Sequence, residues 1–249
     1  ALESKWFYLE YQPQFAMHGE LTGMEALLRL KPPGQDAVPP GKFIAIAEES
    51  GLIVPLGAWV LREACRQGVE WSEEGYAPFR MGVNFSARQL AEPDFVDQIL
   101  CILDETGFPS NLLELELTES CLIASAADSI QQLNRLRRVG VEISIDDFGT
   151  GYSSLSRLHM LPVTAIKIDK AFIDRLITGA GGLETVAAIV SLATQLGFRV
   201  IAEGVETREQ LEALIGVGSV IVQGFLSGRP EGAANAKRHL TLVTPAVCS

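Results

Sequence analysis

Six apolar runs in this chain each end on a polar side chain: MGVNF at Asn84, LLELELTE at Glu116, VEISIDD at Asp146, TAIKID at Lys167, RVIAE at Glu203 and SVIVQ at Gln223. Such runs read as short strands, and parallel strands separated by helices point their carboxyl ends the same way. In a (β/α) barrel that end carries the active site, so these carboxylates, amides and lysine would meet on one rim. Carboxylate and amide oxygens, without a histidine or cysteine cluster, suit a hard divalent cation such as magnesium or manganese. A lysine among them suits an anionic substrate.

The most specific stretch is IDDFGTGYSSLSRL. Asp146 and Asp147 are adjacent at a strand end, so their side chains start on opposite faces unless the chain turns. The Phe-Gly-Thr-Gly that follows permits that turn, and both carboxylates could then reach one ionic centre. Adjacent acids can bridge two divalent ions about 3.5–4 Å apart, a known means of activating water against a phosphodiester. A lone Asp-Asp more often caps a loop. A kinase reading of DFG fails, because no glycine-rich nucleotide loop or HRD-type loop accompanies it.

The elements that must position these groups alternate along the chain: β-branched runs of period two, then longer stretches with an apolar residue every three or four positions. That alternation predicts a mostly parallel sheet. Ile130, Leu133, Leu136 and Val139 form one stripe of a covering helix, with Arg135, Arg137 and Arg138 off it. Val186, Ile189, Val190 and Ala193 repeat the design over Glu184 to Leu196, and Gly197 supplies the stop. Thr207 and Gln210 form a capping box before the helix carrying Leu211, Leu214 and Ile215. Lys31 to Gly41 is a proline-rich loop, Thr178 to Gly182 a glycine-rich connection, and the residues beyond Pro230 could pack as a final helix.

With 249 residues, 47% of them hydrophobic, the chain can bury a large core, and we expect one domain over 1–249. A net charge of −11 and a pI near 4.8 argue against a nucleic-acid polymer or an anionic membrane as partner. Cys65, Cys101, Cys121 and Cys248 are scattered and read as reduced thiols of a cytoplasmic protein. There is no signal peptide, no membrane-length apolar run and no initiating methionine, so an excised domain is expected, and an anchor elsewhere in a longer protein is not excluded. His18, His159 and His239 are dispersed and read as surface or satisfied core residues rather than ligands.

The ordered motifs resemble the EAL domain family of bacterial cyclic di-GMP phosphodiesterases. The name motif stands at Glu25, Ala26 and Leu27 within EALLR, and the other blocks follow the family order: YQP at Tyr11 to Pro13, VNFS at Val83 to Ser86, ELTES at Glu116 to Ser120, DDFGTGYSS from Asp146, KID from Lys167, AEGVE from Ala202 and QGF from Gln223. The resemblance covers nearly the whole chain. It implies an α/β fold, a modified (β/α)8 TIM-type barrel whose first strand runs against the others.

It also implies roles. Glu25, Asn84, Glu116 and Asp146 match a first metal site, and Asp147 and Glu203 a second, for two Mg2+ or Mn2+ ions. Glu203 and Lys167 match the catalytic pair near the attacking water, with the choice of base between Glu203 and the ions left open. Gln12, Arg29, Gln223 and Pro230 match substrate contacts, Arg29 gripping a phosphate. Glu119 matches the acid that steadies the DDFGTG loop.

The implied reaction opens one phosphodiester bond of cyclic di-GMP to give linear 5′-pGpG, and the implied partners are attached sensor or GGDEF-type domains and a second copy docked through the region after the DDFGTG loop. The rival is a receptor that binds cyclic di-GMP without cleaving it, although such members lack ligands that are intact here. An enolizing barrel lyase is the more distant alternative. Ser227 and Arg229 depart from the family pattern where an aromatic and a lysine are common, and Thr164 replaces a common acid.

Overall fold

A computed structural model describes residues 6–124, 127–149, 158, 161–177 and 181–242. Eight strands close into one barrel in chain order: β1 (Phe7–Ala16), β2 (Leu21–Leu30), β3 (Arg80–Phe85), β4 (Leu113–Thr118), β5 (Glu142–Phe148), β6 (Ala165–Ile168), β7 (Arg199–Ala202) and β8 (Ile221–Gln223). Strands β2 to β8 pair in parallel, whereas β1 pairs antiparallel with both β2 and β8. The expected barrel with a reversed first strand is therefore the observed one.

Period-two alternation divides each strand between two environments. On β4 the odd-numbered Leu113, Leu115 and Leu117 face the covering helices and are fully buried, while Glu114 and Glu116 face the barrel interior. Val83, Ile143, Ile145, Ile166 and Val200 join the same outer core. Burying each such side chain contributes about 1.5–3 kcal/mol. The helices thereby allow an unusually polar interior.

Two helices bear on the site. Helix α1 (Pro40–Ser50) starts with proline in its first turn and ends at Gly51 with φ 79°, a left-handed cap that suits glycine. Helix α2 (Ile53–Glu73) follows at once and buries Leu56, Val60, Ala64 and Trp71 along one face. The capping box of Thr207 and Gln210 forms as expected.

Some sequence expectations need correction. Val139 is 43% exposed: the helix ends at Arg138, and the turn through Gly140 carries Val139 away from the stripe of Leu133 and Leu136. Ile215 is 62% exposed at the last position of its helix, which buries Leu214 instead. Among the described residues beyond Pro230, the helical elements are a short helix, Ala233–Ala236, and a 3-10 turn, Lys237–His239. Residues 178–180 of the glycine-rich connection, His159 and Cys248 lie outside the described residues. Among the described residues, no helix is long and apolar enough to cross a membrane.

Candidate active site

Lys167 faces the barrel interior from β6, and its side chain is 1% exposed. Its Nζ lies 2.7 Å from Glu203 Oε1, 3.1 Å from Glu25 Oε2 and 3.5 Å from Asp146 Oδ1, and it also donates to Glu116 Oε2. Carboxylates from β2, β4, the end of β5 and the residue after β7 thus converge on one ammonium. Asn84 Nδ2 and Gln223 Nε2 each donate to Glu25 at 2.6 Å, to Oε1 and Oε2 respectively. Gln223 Nε2 also donates to Gln12 Oε1 at 3.2 Å. The structure therefore brings Glu25, Asn84, Glu116, Asp146 and Glu203 together with Lys167, Gln12 and Gln223.

Gln14 belongs to this network without having been anticipated: its Nε2 donates to Gln223 Oε1 at 2.9 Å. It stands two residues beyond Gln12, and the period of a strand was the signal that could have found it. Glycines make further room. A β-carbon on Gly82 would overlap Glu116 Oε1, and one on Gly204, where φ is 69°, would meet Lys170 Cγ at 2.5 Å.

Asp147 has φ 54°, alone among described non-glycine residues in having a positive value, and the ladder to β6 is irregular between Ile145 and Phe148. The chain turns at Asp147 itself, one step before the stretch that the sequence marked as permissive. Oxygens of Asp146, Asp147 and Glu203 consequently lie within 4.8 Å of one another. Asp147 N–H donates to Asp146 Oδ1 at 2.9 Å, and Gly149 N–H donates to Glu119 Oε2 at 2.9 Å. Residues 150–157 and 159–160, where the rest of the DDFGTG loop and the expected dimer contact fall, lie outside the described residues.

Burial works against the charge on Lys167, yet Glu116, Glu203, Glu25 and Asp146 hold it well above the usual amine range. The acids differ among themselves. Burial alone would raise Glu25, but the Lys167 charge and the hydrogen bonds from Gln223 and Asn84 bring it below the ordinary value. Glu116 is raised well above that value by burial and then by the Glu25 charge. Burial, then Asp146 and Glu25, push Glu203 up to about 7 against the pull of Lys167. Asp147 is raised by burial and the neighbouring charges of Asp146 and Asp169.

Hard oxygen donors dominate, they exceed the positive charge beside them, and Glu116 Oε1 is buried with no hydrogen-bond partner. This donor set fits a divalent cation of the magnesium or manganese class.

Two cavities flank the acids. The smaller, of about 260 Å³, is lined by Gln12, Glu25, Asp146, Lys167, Glu203 and Gln223, with Lys170 and Phe225 at its side. The larger, of about 590 Å³, lies between the barrel rim and helices α1 and α2 and includes Arg29 and Asn84. Arg29 is on β2, where its Nε donates to Glu10 Oε2 at 2.7 Å, so it joins the adjoining cavity rather than the acid cluster. Pro230 lines neither cavity. It precedes Glu231, whose N–H donates to Tyr11 O at 3.1 Å.

A family model described as EAL domain matches residues 1–230. The chain belongs to the EAL domain family. Over 232 residues this EAL domain is 45% identical to the bifunctional diguanylate cyclase/cyclic di-GMP phosphodiesterase MucR of Pseudomonas aeruginosa, a match covering 92% of this chain and 34% of MucR. It is 41% identical over 246 residues to the oxygen sensor protein DosP of Escherichia coli, covering 98% of this chain and 31% of DosP. The chain thus spans about a third of the length of these relatives. Among solved structures, the PaMucR phosphodiesterase in complex with c-di-GMP superposes with a TM-score of 0.90 at 44% identity, covering 94% of this chain and 96% of that one.

Proposed function

We propose that this EAL domain hydrolyses one phosphodiester bond of cyclic di-GMP to linear 5′-pGpG, using two Mg2+ or Mn2+ ions. The observation that carries the reading is the convergence of Glu25, Glu116, Asp146 and Glu203 on Lys167, with Asn84 and Gln223 bonded to Glu25. The likeness to MucR, whose name and complex specify the ligand, supports the choice of substrate. A complete set of acids and Lys167 favours turnover over binding alone.

Glu25, Asn84, Glu116 and Asp146 would hold one ion, and Asp147 and Glu203 would contribute to the second. When bound, the ions supply Lewis-acid activation of water and charge neutralisation at the phosphate. In the hydrolysis, a water oxygen bonds to phosphorus, the bond from phosphorus to the ribose 3′ oxygen breaks, and that oxygen takes up a proton. Glu203, beside Lys167 in the wall of the smaller cavity, is placed to accept the proton that water loses. Lys167 steadies the acids and offers positive charge where negative charge grows on the phosphate. Gln12 and Gln223 orient the substrate in the smaller cavity, and Arg29 meets a phosphate after exchanging its bond to Glu10. Glu119 holds the chain behind Asp147 through Gly149 N–H.

The chain acts as one domain, 1–249, of a longer cytoplasmic signalling protein carrying sensor or GGDEF-type domains, and it pairs with a second copy through the region following DDFGTG. The test is incubation of purified protein with cyclic di-GMP and Mg2+ or Mn2+, followed by chromatography. Formation of 5′-pGpG is expected, and no product with either ion would overturn the proposal.

A further inference from the structure

Gln14 is 5% exposed inside the barrel, where the register sets it opposite Gln223 across the seam of β1 and β8 and opposite Gly23 on β2. Three glutamines form one directed chain there. Gln14 Nε2 donates to Gln223 Oε1 at 2.9 Å, Gln223 Nε2 donates to Gln12 Oε1 at 3.2 Å and to Glu25 Oε2 at 2.6 Å, and Gln12 Nε2 donates to Gly228 O at 3.0 Å. The direction is forced, because the groups at its far ends, an ionised carboxylate and a backbone carbonyl, can only accept. Gln223 must then turn its oxygen to Gln14, whose amide nitrogen meets it. Gly23 leaves space for that amide: a β-carbon there would lie 2.7 Å from Gln14 Oε1.

We propose that Gln14 is a positioning residue for the metal centre: by donating to Gln223 Oε1 it fixes which end of that amide faces Glu25, and so holds Glu25 ready for an ion. If the Gln223 amide turned over, its oxygen would face the Glu25 carboxylate, two acceptors with no proton between them, and a buried carboxylate would lose a donor. Asn84 and Lys167 also donate to Glu25, so the effect of losing Gln14 is partial. This inference rests on the metal-dependent reading above.

Calorimetric titration with Mn2+ tests it in wild type, Gln14→Met, Gln223→Ala and the double variant. Gln14→Met keeps the length of the side chain and removes the donor. Its Mn2+ affinity should fall about 10-fold, the low end for groups that orient ligands. On the Gln223→Ala background the same change should cost no more than about twofold further, because its route to Glu25 is already gone. In turnover assays the loss should appear chiefly as a raised Mn2+ activation constant rather than in kcat at saturating Mn2+. Gly23→Ala, which deletes no polar group, is the second variant: its β-carbon should displace the Gln14 amide and weaken Mn2+ binding as well. A folded Gln14→Met that binds Mn2+ as wild type does, or that loses as much on the Gln223→Ala background as on wild type, overturns the role of Gln14. Should Gln14→Met not fold, unchanged binding by Gly23→Ala overturns it. A wild type that binds no Mn2+ overturns the metal-dependent function itself.

Discussion

Glu116 occupies the space that a side chain on Gly82 would fill. The two residues lie on neighbouring strands, β4 and β3, and the carboxylate reaches across the position where a β-carbon would stand. Gly82→Val should therefore push the Glu116 carboxylate out of the cluster while leaving the outward core of Val83 and Leu115 in place. Manganese titration by calorimetry should show affinity lowered by about 10- to 100-fold, the range for groups that orient ligands. An unchanged dissociation constant in a folded variant would show that Glu116 can hold its place by another rotamer.

Lys167→Met removes the ammonium and keeps an unbranched side chain. Breaking a buried ion pair from one side costs about 3–5 kcal/mol, because the remaining charges lose their partner. In EDTA the variant should melt well below wild type. Added Mn2+ should raise its melting temperature by more than it raises that of wild type, since the metal then replaces the missing charge. Equal gains in both proteins would count against a shared place for ammonium and metal.

In the metal-free fold, burial first pushes the Glu203 carboxyl up from its ordinary 4.5 to about 7. Between these values the folded protein keeps a proton that the unfolded chain has released. The resulting stabilisation is full below pH 4.5 and is lost as pH rises through about 7. Glu203→Gln has no such proton to lose. In EDTA, its melting temperature relative to wild type should climb between about pH 5 and pH 8, and a flat difference would refute the assignment.

Glu119→Ala removes the acceptor of Gly149 N–H and with it a restraint on the chain just past Asp147. Activity should fall mainly in kcat, because the second ion depends on where Asp147 points. Glu119→Gln, which retains an acceptor oxygen, should recover part of the rate. If Glu119→Ala matched wild type in both kcat and KM, the restraint would be irrelevant to chemistry.

Much of this site was legible in the sequence because polar residues at the ends of apolar alternating runs have one place to go in a barrel. Glu116, Asp146 and Lys167 needed only the strand period and the rule that parallel strands share an orientation. Reversal of β1 came from family resemblance alone, yet the sequence held a cue: the short Met17–Glu20 link, with Gly19 at φ 89°, joins β1 to β2, and parallel strands need a far longer crossover. The left-handed Asp147 was not legible, since aspartate rarely takes that conformation without tertiary support. Nor was the pairing of Arg29 with Glu10, which depends on the register that sets Tyr8 opposite Arg29.

The seam between β1 and β8 joins Phe15 to Val222, residues from opposite ends of the barrel sequence. During synthesis the growing chain cannot close that seam until β8 has left the ribosome. Until then both β1 and the most recently made strand present open edges, which invite pairing with other nascent chains. Truncations that remove β8 should accordingly yield insoluble protein rather than a smaller enzyme.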